Sequence, residues 1–214
     1  MLETELKAML TKAQYDTLKS IFQWTSVKEQ TNSYYIAPEN ILKKHGITFR
    51  VRTIDDVHTV QIKKHQPKQS ALQIAEETEF AIDKVPETFN EDETERYTGI
   101  RTVASFIGEL TTKRRSCFYS DGVEICLDRS TYLGITDYEI EIEYTNDIPK
   151  ELLDILAQNG VLFDTPTPGK FSRFINRLKN TYCMFQVYKI LGKINYSNGK
   201  QISSCLGMGS GMIN

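Results

Sequence analysis

The 214-residue sequence predicts a mainly β, α+β chain, with about eight strands in largely antiparallel order and helices in the connections. A closed barrel or a strongly curved sheet accommodates that order. Apolar and polar residues alternate over many short segments, and tight-turn signals separate those segments. Charged residues also gather by sign on one face of several segments, which a sheet rolled around a cavity would bring together.

Taken in order, residues 1–9 alternate as a strand. Thr11 can cap a helix running to about Phe22, with Ala13, Leu18, Ile21 and Phe22 on its apolar side. Residues 25–37 read as a strand, and Pro38 then opens a short helix ending near Gly46. Strands 47–54 and 57–65 flank the tight turn Asp55-Asp56, and 71–82 is a further strand. The stretch 86–108 reads as helical in part, broken at Gly99. Strands 110–119 and 123–128 are joined by Ser120-Asp121-Gly122, because Asp-Gly is a strong hairpin signal. Residues 136–145 make the last strand, and Pro149 and Pro168 each stand near a helix start. From residue 181 onward there is no acid, neither period is sustained, and five of the chain's 12 glycines collect. One domain over 1–180 with a peripheral tail over 181–214 is the expected organisation.

Composition narrows the function classes. Lys and Arg number 26 against 28 Asp and Glu, a net charge of −2, so the basic excess of a non-specific nucleic-acid binder is missing. Hydrophobic residues are 40%, enough for a packed core rather than a disordered chain. Glu3 and Glu5 stand where a secretory leader needs basic and then apolar residues. No apolar run is long enough to span a membrane. Cys117, Cys126, Cys183 and Cys205 form no CxxC pair, which fits reduced thiols, so a cytoplasmic, soluble protein is expected. His45, His58 and His65 are too scattered for a zinc motif, and no GxxxxGK[ST] loop is present, which excludes a P-loop nucleotidase.

The charged faces carry the functional argument. Glu3, Glu5 and Lys7 lie opposite Leu2, Leu6 and Ala8; Arg50 and Arg52 lie opposite Phe49 and Val51. Glu77 and Glu79 share a side opposite Phe80 and Ile82, while Asp137, Glu139, Glu141 and Glu143 lie opposite Tyr138, Ile140, Ile142 and Tyr144. A single strand of this kind is ordinary, since one sheet face commonly meets water. Repeated segregation by sign is not, because like charges two positions apart repel. Clustered carboxylates make sense around a hard divalent cation, and clustered Arg and Lys around phosphate oxygens.

At these residues the chain resembles the CYTH superfamily, also called triphosphate tunnel metalloenzymes. Glu3-Thr4-Glu5-Leu6-Lys7 has its Glu-x-Glu-x-Lys form. The ordered series continues through Asn32-Ser33-Tyr34-Tyr35, Arg50-Val51-Arg52, Lys63, Glu77-Thr78-Glu79, Arg114, Asp128, Tyr138-Glu139-Ile140-Glu141 and Lys170. The resemblance covers roughly 1–180 and implies an eight-stranded antiparallel closed β-barrel whose interior is a tunnel for a triphosphate, with helices packed outside. It implies that Lys7, Arg50, Arg52, Lys63, Arg114 and Lys170 bind phosphate. It implies one or two Mg²⁺ or Mn²⁺ ions held by Glu3, Glu5, Glu139 and Glu141, with Glu77, Glu79 and Asp128 as further ligands. Glu3, Glu5 or Glu79 would orient or deprotonate the attacking water, with Lys7 also in the catalytic set. Arg115 competes with Arg114, and Arg173 and Lys179 with Lys170, while Glu143 shares the face of Glu141 but is expected beyond the tunnel mouth.

The activity so implied is hydrolysis of inorganic triphosphate or a small organic triphosphate, releasing phosphate. The alternatives are an adenylate cyclase making cyclic AMP and pyrophosphate, and a non-catalytic polyphosphate or nucleotide binder. Hydrolysis leads, because a cyclase must also recognise adenine and no base pocket is legible. The expected partner is a triphosphate-bearing small molecule, with no specific nucleic acid and no membrane; a homodimer would be common for such a barrel.

Overall fold

The alternating segments become strands in the computed structural model, which describes residues 2–65 and 72–181. The first five are β1 (Leu2–Leu10), β2 (Ser26–Ile36), β3 (Ile47–Ile54), β4 (Val57–His65) and β5 (Leu72–Ile82). A two-residue β6 (Thr88–Phe89) precedes β7 (Ala104–Ser120), β8 (Val123–Tyr132) and β9 (Ile135–Tyr144). Neighbours run β2-β3-β4-β5-β1-β9-β8-β7, and pairing of β2 with β7 closes the ring. The result is a closed, eight-stranded antiparallel barrel, with β6 appended to β7. The β3–β4 turn has both central residues at positive φ, Asp55 at 47° and Asp56 at 62°, which Asp tolerates and which matches the strand twist.

Helices cover the outside: α1 (Lys12–Ile21), α2 (Ile41–Lys44), α3 (Glu91–Thr98), α4 (Lys150–Gln158) and α5 (Lys170–Thr181). Capping boxes start α1 and α3. Thr11 Oγ1 accepts from the Gln14 amide at 3.2 Å while Gln14 Oε1 accepts from the Thr11 amide at 2.9 Å; Asn90 and Glu93 repeat the exchange.

The apolar strand faces turn outward to meet these helices. Ile125, Leu127, Ile140 and Ile142 pack under Leu18 of α1 and Leu152 and Leu156 of α4. On the other flank Phe49, Val51, Val60 and Ile62 pack with Leu42 of α2 and Phe89, and Tyr97 of α3 adds to them. Each such burial contributes about 1.5–3 kcal/mol. Because the oily faces are spent on the helices, the polar faces are left to line the interior.

One end of the barrel is covered by α5, which lays Phe174 and Leu178 on Tyr34, Leu110 and Tyr132. Gly108 makes that seat, since a Cβ there would sit 2.9 Å from Phe174 Cζ, at a φ of +133°. Gly108→Ala is therefore expected to destabilise the fold by about 1–3 kcal/mol. Thermal unfolding checks this, and a melting temperature equal to that of the native chain would show that α5 does not press on β7.

Two element boundaries differ from expectation. Residues 104–108 belong to β7 instead of a helix, because they continue the pairing with β2 as far as Ser105 opposite Ile36. A register shift at Tyr34/Tyr35 and Gly108 breaks the alternation that would have revealed the strand. β8 extends to Tyr132 because Ser130 is buried and faces Thr112, so a polar residue occupies an inward position and the segment lacks an apolar face. All but the first residue of the expected tail lies outside the described residues.

Candidate active site

Strand register decides which charges meet. Glu5 stands opposite Glu143, Lys7 opposite Glu141 and Glu139 opposite Asp128, so β1, β9 and β8 form one continuous acidic wall with Lys7 set into it. Across the barrel, β3 carries Arg50 and Arg52, β4 carries Lys63 and β5 carries Glu77. Arg114 on β7 and Lys170 at the start of α5 complete the ring. Between the walls is a cavity of about 410 Å³ onto which Glu5, Lys7, Arg50, Arg52, Lys63, Glu77, Arg114, Glu141, Glu143 and Lys170 all face. Lys43, Thr48, His65 and Ser172 also line it, beside the start of α5. A recess of about 650 Å³ around Thr4 and residues 144–147 is larger, but it lies open on the surface and gathers little ionisable chemistry.

Glu141 is the centre of the acidic wall. Lys7 Nζ stands 2.7 Å and Lys170 Nζ 2.9 Å from its Oε1, and Arg114 contacts Oε2. Burial alone would raise its pKa, but Lys170, Lys7 and Arg114 outweigh burial and hold it well below the usual carboxylate range. Asp128 is also lowered: against its burial, Arg114 grips both oxygens, at 2.9 and 2.8 Å, and Lys170 stands 2.8 Å away. The partners respond in kind. Burial would lower Lys7, yet Glu141, Glu5 and Glu139 push it well above its ordinary value, so it stays charged.

Two carboxylate trios, Glu5–Glu141–Glu143 and Asp128–Glu139–Glu141, each present oxygens within 4.8 Å of one another, with Glu141 common to both. All-oxygen donors suit a hard cation such as Mg²⁺ or Mn²⁺. Cys126 is buried beside them, its thiol pushed above the ordinary value chiefly by burial and directed at Glu143.

The basic wall is balanced differently. Arg50 donates from Nε to Gln61 Oε1 at 2.7 Å and from Nη2 to Glu77 Oε1 at 3.0 Å, while Gln61 in turn donates to Glu79. Arg52 donates from Nε to Asn32 Oδ1 at 3.1 Å, and no carboxylate among the described residues pairs with it. Burial, followed by the nearby charges of Arg50 and Arg114, pulls its pKa from 12.5 down to about 9. A guanidinium held charged under those conditions has an unmet demand for an anion.

The expected residues therefore separate into groups. Glu5, Lys7, Arg50, Arg52, Lys63, Glu77, Arg114, Glu141 and Lys170 converge on the cavity, and Asp128 and Glu139 sit directly behind it, buried against Lys170. Glu79 does not join them: it is exposed, held by Gln61, and stands off the cavity lining. The side chain of Glu3 lies outside the described residues. Arg114 faces inward, whereas Arg115 points the other way and donates to the Tyr15 hydroxyl at 2.7 Å. Arg173 is buried between Asp137, at 2.9 Å, and Glu139, at 2.8 Å, while Lys179 is exposed. Glu143 lines the cavity instead of lying beyond it, and its shared parity with Glu139 and Glu141 was the available signal. Asn32, the partner of Arg52, stands in the family series, but the charge pattern gives it no role because a neutral residue leaves no mark there.

No helix among the described residues is long and apolar enough to cross a membrane. In comparisons with known proteins, the CYTH domain model matches residues 1–163. A Bacillus subtilis (strain 168) protein named "Putative triphosphatase YjbK" is 30% identical over 181 residues, covering 81% of this chain and 94% of that protein. A crystal structure of "a putative adenylate cyclase" from Bacillus halodurans is 28% identical with a TM-score of 0.60, covering 80% of this chain and 96% of that one. HpAC1 from Hippeastrum, named a "putative adenylyl cyclase" and described as having a dominant triphosphatase activity, shares the fold at 19% identity and a TM-score of 0.66, covering 81% and 95%. With the family model spanning most of the sequence and the barrel interior charged as described, the chain belongs to the CYTH domain family.

Proposed function

We propose that the chain is a Mg²⁺- or Mn²⁺-dependent triphosphatase that hydrolyses a phosphoanhydride bond of inorganic triphosphate or a small organic triphosphate, releasing orthophosphate. The observation carrying this reading is the 410 Å³ cavity on which Arg50, Arg52, Lys63, Arg114 and Lys170 meet Glu5, Glu141 and Glu143, with Arg52 paired to no carboxylate among the described residues. The name of the Bacillus subtilis relative points the same way, while that of the Bacillus halodurans structure points to the cyclase alternative.

In this reading Arg50, Arg52, Lys63, Arg114 and Lys170 hold the phosphate chain, arginine gripping its oxygens in pairs. Glu5, Glu141 and Glu143, or Asp128, Glu139 and Glu141, would hold the divalent ion. When bound, that ion supplies Lewis-acid charge at phosphate oxygens and lowers the pKa of water. Glu5 is buried on the cavity beside Lys7 and is placed to take the proton of the attacking water. The water oxygen bonds to phosphorus, the bridging P–O bond breaks, and the negative charge gathering on the leaving phosphate meets lysines and arginines already fixed in place. That fixed charge is what phosphoryl transfer chiefly requires. Charged side chains outnumber the apolar ones on the cavity, Ile47 and Phe171, so the lining suits a phosphate chain better than an adenine, and hydrolysis is favoured over cyclisation.

Incubation with Mg²⁺ or Mn²⁺ and either tripolyphosphate or ATP, scored for orthophosphate, pyrophosphate and cyclic AMP, tests this. Orthophosphate from tripolyphosphate, lost on adding EDTA, is expected. Cyclic AMP as the main product, or binding without turnover, would reject the reading.

A further inference from the structure

The inner face of β2 carries three neutral side chains in alternation, Gln30, Asn32 and Tyr34, which are 4%, 0% and 0% exposed. Among the described residues, Gln30 Nε2, Asn32 Nδ2 and the Tyr34 hydroxyl have no hydrogen-bond partner. Leaving buried donors unmet is unfavourable, so such a row calls for an explanation. The orientation of the Asn32 amide follows from its neighbour: Arg52 Nε donates to Oδ1, and a flipped amide would set donor against donor.

The other arginine of β3 supplies the contrast. Arg50 also leans on an amide, Gln61, but there the amide's nitrogen donates to Glu79 and the guanidinium's far edge donates to Glu77. Two carboxylates close that pair. The Asn32–Arg52 pair is built the same way and closed by none among the described residues.

We propose that Asn32 is a positioning and specificity-determining residue for the triphosphate site, an inference that rests on the function proposed above. It orients Arg52 while lending it no negative charge, so the full charge of the guanidinium remains for the guest. Gln30 and Tyr34, on the same strand face, add two more buried polar groups that no described residue meets and that carry no charge. The guest so selected is one that answers the undiminished charge of Arg52, a fully ionised phosphate chain and not a cation.

The isosteric Asn32→Asp reverses this logic, because an aspartate would close on Arg52 as Glu77 closes on Arg50. Tripolyphosphate binding by calorimetry in EDTA and thermal unfolding are measured on the full chain. Asn32→Asp is expected to weaken binding at least tenfold while its melting temperature equals or exceeds that of the native chain. Asn32→Ala removes the orienting acceptor but adds no charge, so it is expected to melt lower and yet bind better than Asn32→Asp. A merely structural residue would give the opposite order, with binding lost in step with stability. Gln61→Glu puts the same charge beside the already closed Arg50 and is expected to cost less binding.

Asn32→Asp binding within threefold of the native chain overturns the inference, as does an equal loss in Gln61→Glu. Failure of Asn32→Asp to fold also overturns it, since Arg52 should welcome the carboxylate. If the native chain itself neither binds nor hydrolyses tripolyphosphate, the functional reading fails first.

Discussion

Glu141→Gln is expected to abolish turnover and to destabilise the folded chain at once. Glu141 touches Lys7, Lys170 and Arg114 and belongs to both carboxylate trios. Removing one partner from a buried ionic cluster typically costs about 3–5 kcal/mol, because the remaining charges stay buried without compensation. The lower end applies here, as Glu5, Asp128 and Glu139 still neighbour those cations. Losing the carboxylate common to both trios would also weaken the hold on the divalent ion that the proposed hydrolysis requires.

The pH dependence has a definite sign. Glu141 and Asp128 are both held below their ordinary range by Lys and Arg neighbours that outweigh burial. A carboxylate depressed in the folded state contributes stability that is complete above its unfolded pKa, about 4, and is lost as pH falls through the folded value. The native chain should hold its stability down to about pH 4 and lose it steeply below. Glu141→Gln, with one such group fewer, should show a lower plateau and a shallower acid limb. Denaturant unfolding from pH 7 to 2 measures both, and a variant as stable as the native chain would remove Glu141 from the centre of the network.

Period-two alternation makes the inward position of Arg50, Arg52, Glu139 and Glu141 legible in the sequence, since adjoining apolar residues (Phe49, Val51, Tyr138, Ile140 and Ile142) fix the parity. Where that neighbour is missing, parity is ambiguous. Lys113-Arg114-Arg115 has no apolar marker, and only the opposition of Arg114 to Asp128 across β7 and β8 resolves it. Register also assembles what spacing cannot. Asn32 meets Arg52 from twenty positions away because β2 and β3 pair there, and no local pattern predicts that contact. Glu79 shows the converse: it shares the face of Glu77 on β5 but lies two residues along and off the cavity lining. A face can be read from parity, whereas depth along a tunnel depends on strand stagger.

Lys170→Met should loosen α5 and make the protein unusually responsive to divalent cations. Lys170 Nζ reaches Asp128 at 2.8 Å, Glu141 at 2.9 Å and Glu139 more closely still, so one side chain from α5 neutralises much of the deepest acidic cluster. Those three carboxylates push its pKa above the ordinary value despite burial, the mark of a lysine whose charge the fold requires. Methionine fills similar space without charge, leaving the acids to repel one another, and a loss of about 3 kcal/mol is expected. Amide hydrogen exchange should quicken across residues 170–181, since Arg173, through Asp137 and Glu139, and Arg177, through the Leu133 carbonyl, are then left to tie the helix charge to the barrel. A cation binding the folded state stabilises it by mass action, and with Lys170 gone one charge fewer competes for Asp128, Glu139 and Glu141, leaving Arg114, Arg173 and Lys7 beside them. Mn²⁺ should therefore raise the melting temperature of Lys170→Met by more than that of the native chain, even as tripolyphosphate affinity falls. Equal Mn²⁺ shifts in the two proteins would mean that the ion and the lysine do not share those carboxylates, and would move the metal to Glu5, Glu141 and Glu143.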